Sequence, residues 1–171
     1  MNTDIVAQCR IDTPLGPLTL AATARGLAAA LFDAQQHHPG EIRAPERPDH
    51  THLALAAREF AAYFAGRRLH FTVPLDAAGT DFQRQVWQAL LGITPGQLST
   101  YGEIAQRVGR PGAARAVGAA VGRNPIAIIV PCHRVVGSDG SLTGYAAGLP
   151  RKRALLAHES APPLAELEAA A

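Results

Sequence analysis

Residues 100–122 read TYGEIAQRVGRPGAARAVGAAVG, and the punctuation in this stretch sets the architecture. Thr100, followed three residues later by Glu103, is a capping box that opens a short helix through Ile104, Ala105 and Val108. Gly109 ends that helix, and residues 110–112 turn. A second helix runs over residues 113–122, with Val117, Ala120 and Val121 on one side. Two short helices joined by a tight glycine-containing turn outline a helix-turn-helix, an outline that helical hairpins inside protein cores share. The second helix carries Arg115 and Arg123 among alanines and glycines, small residues that let a backbone approach a groove closely.

Upstream of this unit, Thr80 with Gln83 forms another capping box, and Phe82, Val86, Ala89 and Leu90 make an apolar stripe. Downstream, Asn124-Pro125 turns the chain. The continuous apolar run at 126–130 then reads as a buried segment delivering Pro131-Cys132-His133-Arg134 at its end. Val135 and Val136 predict a short strand, residues 137–140 a tight turn, and residues 144–148 a flexible loop with one aromatic, Tyr145. Pro150 suits a first helical position, with a closing helix over 152–159 and a frayed tail after Pro162-Pro163. The first third has another character. Runs at 5–11, 18–22 and 27–32, separated by Pro14, Gly16, Pro17 and Gly26, predict a small antiparallel sheet. Residues 35–49 read as an exposed connection, and Leu53, Ala56, Ala57, Phe60, Ala61 and Phe64 recur at helical spacing until Gly66. Phe71 and Val73 suggest one more strand before Pro74, and 75–79 a linker. The expected layout is an N-terminal unit over 1–76, a C-terminal unit over 77–160 and a tail over 161–171.

The 171 residues are 47% hydrophobic and 18% charged, a globular composition long enough to bury a core without staples. The two cysteines, Cys9 and Cys132, lie far apart with no CxxC spacing, which excludes a disulfide scaffold and a cysteine-pair zinc module. No signal peptide is visible near the N-terminus, and no apolar run reaches the roughly 18 residues of a spanning helix, so a cytoplasmic protein is expected. The net charge of +2 hides an asymmetry. Residues 1–76 carry 7 basic and 8 acidic groups (net −1), residues 77–160 carry 9 and 4 (net +5), and the tail carries two glutamates. A basic C-terminal half fits either a solvated face or an acidic partner, nucleic acid first.

A cysteine is a useful nucleophile only as thiolate, and a free pKa of about 8.5 leaves little thiolate at neutral pH. For Cys9 small-hydrophobe core filling suffices. For Cys132 the preceding proline and the polar His133-Arg134 argue against it. Neighbours on an extended segment point opposite ways, so His133 would reach the thiol only through a local turn or a bridging water. His158 and Glu159 on the last helix could complete a relay in which a carboxylate orients an imidazole. No metal site is expected, since the His37-His38 pair sits in a loop without partners.

Pro131-Cys132-His133-Arg134-Val135 resembles the active-site signature of the O6-alkylguanine-DNA alkyltransferases, the methylated-DNA–protein-cysteine methyltransferases. The flanks agree in order and spacing: residues 80–90, Thr100-Tyr101-Gly102-Glu103-Ile104-Ala105, Arg115-Ala116-Val117-Gly118, Asn124-Pro125, Gly144-Tyr145 and Leu155-Leu156-Ala157-His158-Glu159. The likeness is strong over 80–159 and looser over 1–76. It implies an α/β protein: a small N-terminal α/β domain with an antiparallel sheet, then a mostly helical, winged-helix-like domain that binds DNA and carries the chemistry. It also implies irreversible, single-turnover transfer of methyl or other alkyl groups from O6 of guanine, and from O4 of thymine, to Cys132.

The resemblance further implies that His133 takes the thiol proton through a water and that Glu159 orients His133. Tyr145 and the backbone near Ala146 would line the base pocket, and the carbonyls of Cys132 and Val135 would accept from the base's exocyclic amine. Asn124 would hold the turn between recognition helix and active-site strand. Tyr101 would crowd the target phosphate, and Arg115 would replace the extruded base beside the small Ala113, Ala114 and Gly118. O6 of a paired guanine lies inside the duplex, so chemistry there requires extrusion of the nucleotide. The expected partner is double-stranded DNA bearing O6-alkylguanine, bound by a monomer or by cooperative assembly, with no cofactor and no membrane. Ala147 stands where many relatives have Gly, and Ala146 where some have Ser, which bears on tolerance of bulky alkyl groups. The family's N-terminal zinc site is not carried over. Two other classes compete: a helix-turn-helix regulator or damage-binding module without chemistry, and a Cys-His hydrolase that turns over.

Overall fold

The fold was taken from a computed structural model that describes residues 4–160; the expected tail lies outside the described residues. The chain begins with a three-stranded antiparallel sheet, β1 (Ala7–Ile11), β2 (Leu18–Ala22) and β3 (Leu27–Phe32), in the order β1-β2-β3. The β1–β2 hairpin pairs Ala7 with Ala22 and Ile11 with Leu18, and the β2–β3 pair breaks register at Ala21/Ala22. Gly16, at φ +107°, closes the first turn where an L side chain would be strained. One face of the sheet, with Leu18, Leu20, Ala30 and Phe32, joins the main core. On the opposite face Ala21, Ala29 and Leu31 pack with Ile42. The connection at 35–49 is therefore mostly exposed, as expected, but Ile42 pins it across the back of the sheet.

Both sheet edges are covered by irregular chain, which removes unpaired backbone groups from solvent. Along β1, Gln8 N–H donates to Pro45 O at 3.0 Å and Arg47 N–H donates to Gln8 O at 2.9 Å. Along β3, Leu27 N–H donates to Pro74 O at 2.7 Å, and Asp76 N–H donates to Leu27 O at 2.8 Å. Farther along, Ala30 N–H donates to Pro125 O and Ala127 N–H to Ala30 O, both at 2.9 Å. This last pair matters most, because β3 thereby fixes the segment that leads to Cys132.

Helix α1 (Thr51–Phe64) buries Leu53, Ala56, Phe60 and Tyr63, spaced three and four apart, and also Glu59. The strand expected at Phe71 and Val73 does not form. The Glu59 carboxylate accepts from the backbone N–H groups of Thr72 and Val73, at 2.9–3.1 Å, taking the donors a ladder would need. Only Leu75 makes a bridge, parallel to Leu27.

Both sequence-read capping boxes are present, Thr80/Gln83 on α2 (Asp81–Leu91) and Thr100/Glu103 on α3 (Tyr101–Arg107). Helix α4 (Ala114–Gly122) buries Val117, Ala120 and Val121, and Trp87 Nε1–H on α2 donates to Ala120 O at 2.9 Å, tying the helices together. Two-residue strands β4 (Ser99–Thr100) and β5 (Val135–Val136) pair in parallel, and α5 (Leu149–Ser160) closes the described chain. The run at 126–130 is buried as expected, but it is not a strand beyond its bridge at Ile126. It folds back on itself, with Val130 N–H donating to Ile126 O at 3.1 Å, and Ile128 adopts φ +72°. Positive φ is rare for a β-branched residue and is held here by complete packing around a buried side chain. Among the described residues no helix is long and apolar enough to cross a membrane.

Candidate active site

A local turn is present at Cys132. Residues Cys132–Arg134 form one 3-10 turn, and all three side chains are buried. Asn124 builds the preceding bend: its Oδ1 accepts from Ile126 N–H at 3.0 Å, and its Nδ2 donates to Val130 O at 2.8 Å. The same Nδ2 donates to Cys132 Sγ at 3.1 Å, so one amide links the end of α4 to the sulfur. Burial pushes the Cys132 thiol up, while the Asn124 hydrogen bond and the Lys152 charge pull it back. The thiol therefore rests neutral and needs a base.

His133 is fully buried, and its Nε2 lies 2.8 Å from Glu159 Oε1. Arg134 grips the same carboxylate, Nε to Oε2 and Nη2 to Oε1, each at 2.8 Å, and its Nη1 donates to Ile93 O. Tyr63 donates its hydroxyl to Glu159 Oε1 at 2.9 Å. Burial pushes Glu159 upward, but the Arg134 and His133 hydrogen bonds outweigh it and bring the group down to about 2. An ionised carboxylate only accepts, so His133 carries its proton on Nε2 and leaves a bare lone pair on Nδ1. That Nδ1 is buried with no hydrogen-bond partner among the described residues. Burial also lowers the His133 pKa, against the pull of Glu159. The ring is thus a neutral base at neutral pH.

Above the thiol is a cavity of about 200 Å³. Gly144, Tyr145 and Ala146 wall one side, Tyr101 and the α4 residues Gly118, Val121 and Gly122 another, and Gln36 and His37 a third. The Tyr145 hydroxyl is buried with no hydrogen-bond partner among the described residues, and burial raises its pKa well above the phenol range, so it keeps its proton. The 144–148 loop is better held than its composition suggests. Gln36 N–H donates to Ala146 O at 2.8 Å, and Arg151 donates to Ala147 O at 2.9 Å and to Leu15 O at 2.8 Å.

Of the residues named from sequence, Asn124 meets the Cys132 sulfur, His133 and Glu159 meet each other, and Tyr145, Ala146, Tyr101 and Gly118 line the cavity together with Cys132. Val135 lies behind it: its carbonyl accepts from Lys152 Nζ at 2.5 Å, and its N–H donates to Cys132 O. Arg115 is exposed on the first turn of α4, beside half-buried Ala113 and Ala114, and faces solvent rather than the cavity. His158 packs against Tyr63, its Nε2 being 2.6 Å from Tyr63 O, which agrees with a packing role. Arg134, Lys152 and Tyr63 were not foreseen. Lys152 is wholly buried, with Nζ on the carbonyls of Val135, Thr143 and Gly144, yet it sits among charged neighbours that read as a solvated helix. Tyr63 could have been found from the 53, 56, 60, 63 spacing of the buried stripe. Among the described residues no group of three or more His, Cys, Asp or Glu could hold a metal ion.

Comparison with known proteins places two family descriptions on this chain. "6-O-methylguanine DNA methyltransferase, ribonuclease-like domain" matches residues 10–77, and "6-O-methylguanine DNA methyltransferase, DNA binding domain" matches residues 81–161. The methylated-DNA–protein-cysteine methyltransferase of Mycobacterium tuberculosis strain H37Rv is 52% identical over 157 residues, covering 92% of this chain and 94% of the relative. That of Methanosarcina barkeri is 49% identical over 146 residues, covering 85% and 92%. The crystal structure of M. tuberculosis OGT in complex with DNA superposes with a TM-score of 0.83 at 49% identity, covering 92% of this chain and 96% of that one.

Proposed function

Because this chain belongs to the 6-O-methylguanine DNA methyltransferase family, we propose that it repairs DNA by moving the alkyl group of O6-alkylguanine onto Cys132. The observation that carries this is the thiol on a cavity wall, with Asn124 on its sulfur, in a chain whose next residue, His133, is a buried imidazole held by Glu159. The buried thiol gives its proton through a water to His133 Nδ1, and Glu159 stabilises the imidazolium that results. The thiolate attacks the alkyl carbon; a sulfur–carbon bond forms as the carbon–O6 bond breaks, and the electron pair leaves with the guanine. Tyr145, still protonated, donates a hydrogen bond to the departing base. A thioether has no reductive route back, unlike a disulfide, so each chain reacts once. O4-alkylthymine presents the same alkyl–oxygen bond and is the second substrate.

The cavity is too enclosed for a base still stacked in a duplex, so the nucleotide must be extruded. Arg115 enters the stack from the outer face of α4, Ala113, Ala114 and Gly118 let that helix come close, and Tyr101 crowds the target phosphate. On this reading residues 77–160 carry binding and chemistry, residues 1–76 buttress them, and the protein acts as a cytoplasmic monomer without a cofactor. The test is incubation with an oligonucleotide bearing O6-methylguanine, followed by intact mass. One added methyl per chain, lost in Cys132→Ala, is expected. Tight binding without an adduct would favour a damage-binding module, and turnover of an ester or amide would favour a hydrolase.

A further inference from the structure

The Glu159 carboxylate is more heavily engaged than holding an imidazole requires. Its Oε1 receives Tyr63 Oη at 2.9 Å, His133 Nε2 at 2.8 Å and Arg134 Nη2 at 2.8 Å, while Oε2 receives only Arg134 Nε. Tyr63 belongs to α1, in the N-terminal unit, 96 residues away in sequence from the glutamate it meets. Its side chain is fully buried. The ring is fixed by Phe71 at 5.5 Å, Phe64 at 5.2 Å and His158 at 4.8 Å between centroids, so the hydroxyl has little freedom to turn away.

We propose that Tyr63 is a positioning residue for alkyl transfer, through which the N-terminal unit sets the orientation of Glu159 and the basicity of His133. The proposal rests on the transfer chemistry above. Arg134 and His133 both hold the carboxylate from the same 3-10 turn; Tyr63 adds a donor from a different element and so ties Oε1 to α1 as well. The hydroxyl also draws charge from the oxygen that His133 meets, which weakens the stabilisation of the imidazolium. With Tyr63 in place, His133 stays neutral and Nδ1 remains free to accept the thiol proton. The other titratable groups packed here are Arg134 and Cys132 on the 3-10 turn, Lys152 and His158 on α5, and Tyr145 on the loop. Of these, Arg134 also donates to Oε1, through Nη2, from the same turn as His133.

The experiment measures single-turnover transfer from duplex DNA bearing O6-methylguanine, at saturating DNA, as a function of pH. It compares the intact protein with Tyr63→Phe, which keeps the ring, and with His158→Gln, which disturbs the same packing without touching the carboxylate. For Tyr63→Phe the maximal rate is expected to fall roughly tenfold, and the acid limb to move up by about half a pH unit. His158→Gln is expected to lower thermal stability and leave the limb in place. In a Tyr63→Phe/Glu159→Gln double variant, the rate should be no lower than in Glu159→Gln alone. An unshifted limb in Tyr63→Phe, the same shift in His158→Gln, or additive losses in the double variant would each overturn the proposal. Failure of the intact protein to take up a methyl would instead remove the transfer reading beneath it.

Discussion

The two working regions of this protein are built in opposite ways. Around Glu159 every polar group of the relay is buried, and donors from α1 and the 3-10 turn converge on a carboxylate that α5 supplies. On the outer face of α4, by contrast, Arg115, Ala116 and Ala119 are exposed, two of them with no polar side chain to offer. The first region is complete before any substrate arrives, whereas the second, on the proposed function, comes into use when a duplex lies against it. Chemistry that must hold a proton on one nitrogen tolerates little freedom, and a low-dielectric interior provides that restraint. Binding that must accept any sequence does better with a smooth, small-residue surface and a cation, since phosphate contacts carry affinity without reading bases.

Removing the sulfur tests this contrast most severely. Cys132→Ala should abolish transfer while leaving affinity for duplex DNA within about twofold, as measured by intact mass and by titration of a labelled duplex, because the α4 face is untouched. Transfer above background would break the division between the regions. Next comes the carboxylate. Glu159→Gln should slow transfer about 100-fold and leave Arg134 as an uncompensated buried charge, costing about 3–5 kcal/mol of stability, with DNA affinity again unchanged. In the intact protein Glu159 is held at about 2 when folded, against roughly 4.3 unfolded. Its contribution is present in full above pH ~4.3 and is lost as the pH falls toward 2. Acid unfolding followed by circular dichroism should therefore lose much of its slope over that window in Glu159→Gln; an unchanged slope would mean the carboxylate is not held as described.

The lowered basicity of His133 makes a gentler prediction. Transfer should hold its rate down to about pH 6.5, the ordinary imidazole value, and decline only below it as Nδ1 becomes protonated. A decline beginning near pH 7.5 would show His133 to be more basic than its burial implies. On the exposed side, Arg115→Ala should slow repair of duplex DNA about 10-fold, a part of the few kcal/mol that unstacking costs. Reaction with a free O6-alkylguanine base, which needs no extrusion, should be unaffected. Equal losses on both substrates would move Arg115 from the DNA face to the pocket or to folding. Tyr101→Phe should show the smallest effect, about twofold to threefold on duplex alone, because the ring that lines the cavity remains and one hydroxyl contact is lost.

Local signals were strong where neighbouring residues settle the matter between themselves. The Thr80/Gln83 and Thr100/Glu103 boxes, the Gly66 and Gly109 stops and the apolar runs of β1 to β3 act within a few residues, and the structure contains each of them. Cys132, His133, Glu159 and Tyr145 were singled out through a motif together with its flanks, and the structure puts Cys132 and Tyr145 on one cavity and His133 on Glu159. Where sequence reasoning went astray, a distant group intervened. Phe71 and Val73 carry a strand's residues, but Glu59, on the preceding helix, takes the amides of Thr72 and Val73. Residues 126–130 are buried as the sequence reads, and the way they fold back is set by Asn124 and the edge of β3.

What the sequence determined by itself was therefore the order of elements, the helix-turn-helix outline and the candidate nucleophile, because hydrophobic period, capping and motif spacing are properties of short stretches. Only the tertiary structure decided that Arg134 and Lys152 are buried cations rather than surface ones, that Asn124 touches the sulfur and that Tyr63 reaches Glu159. A charged side chain is stable in the interior only when its partners are already in place. Those partners arrive from segments as far as 96 residues apart, through packing that no local pattern encodes.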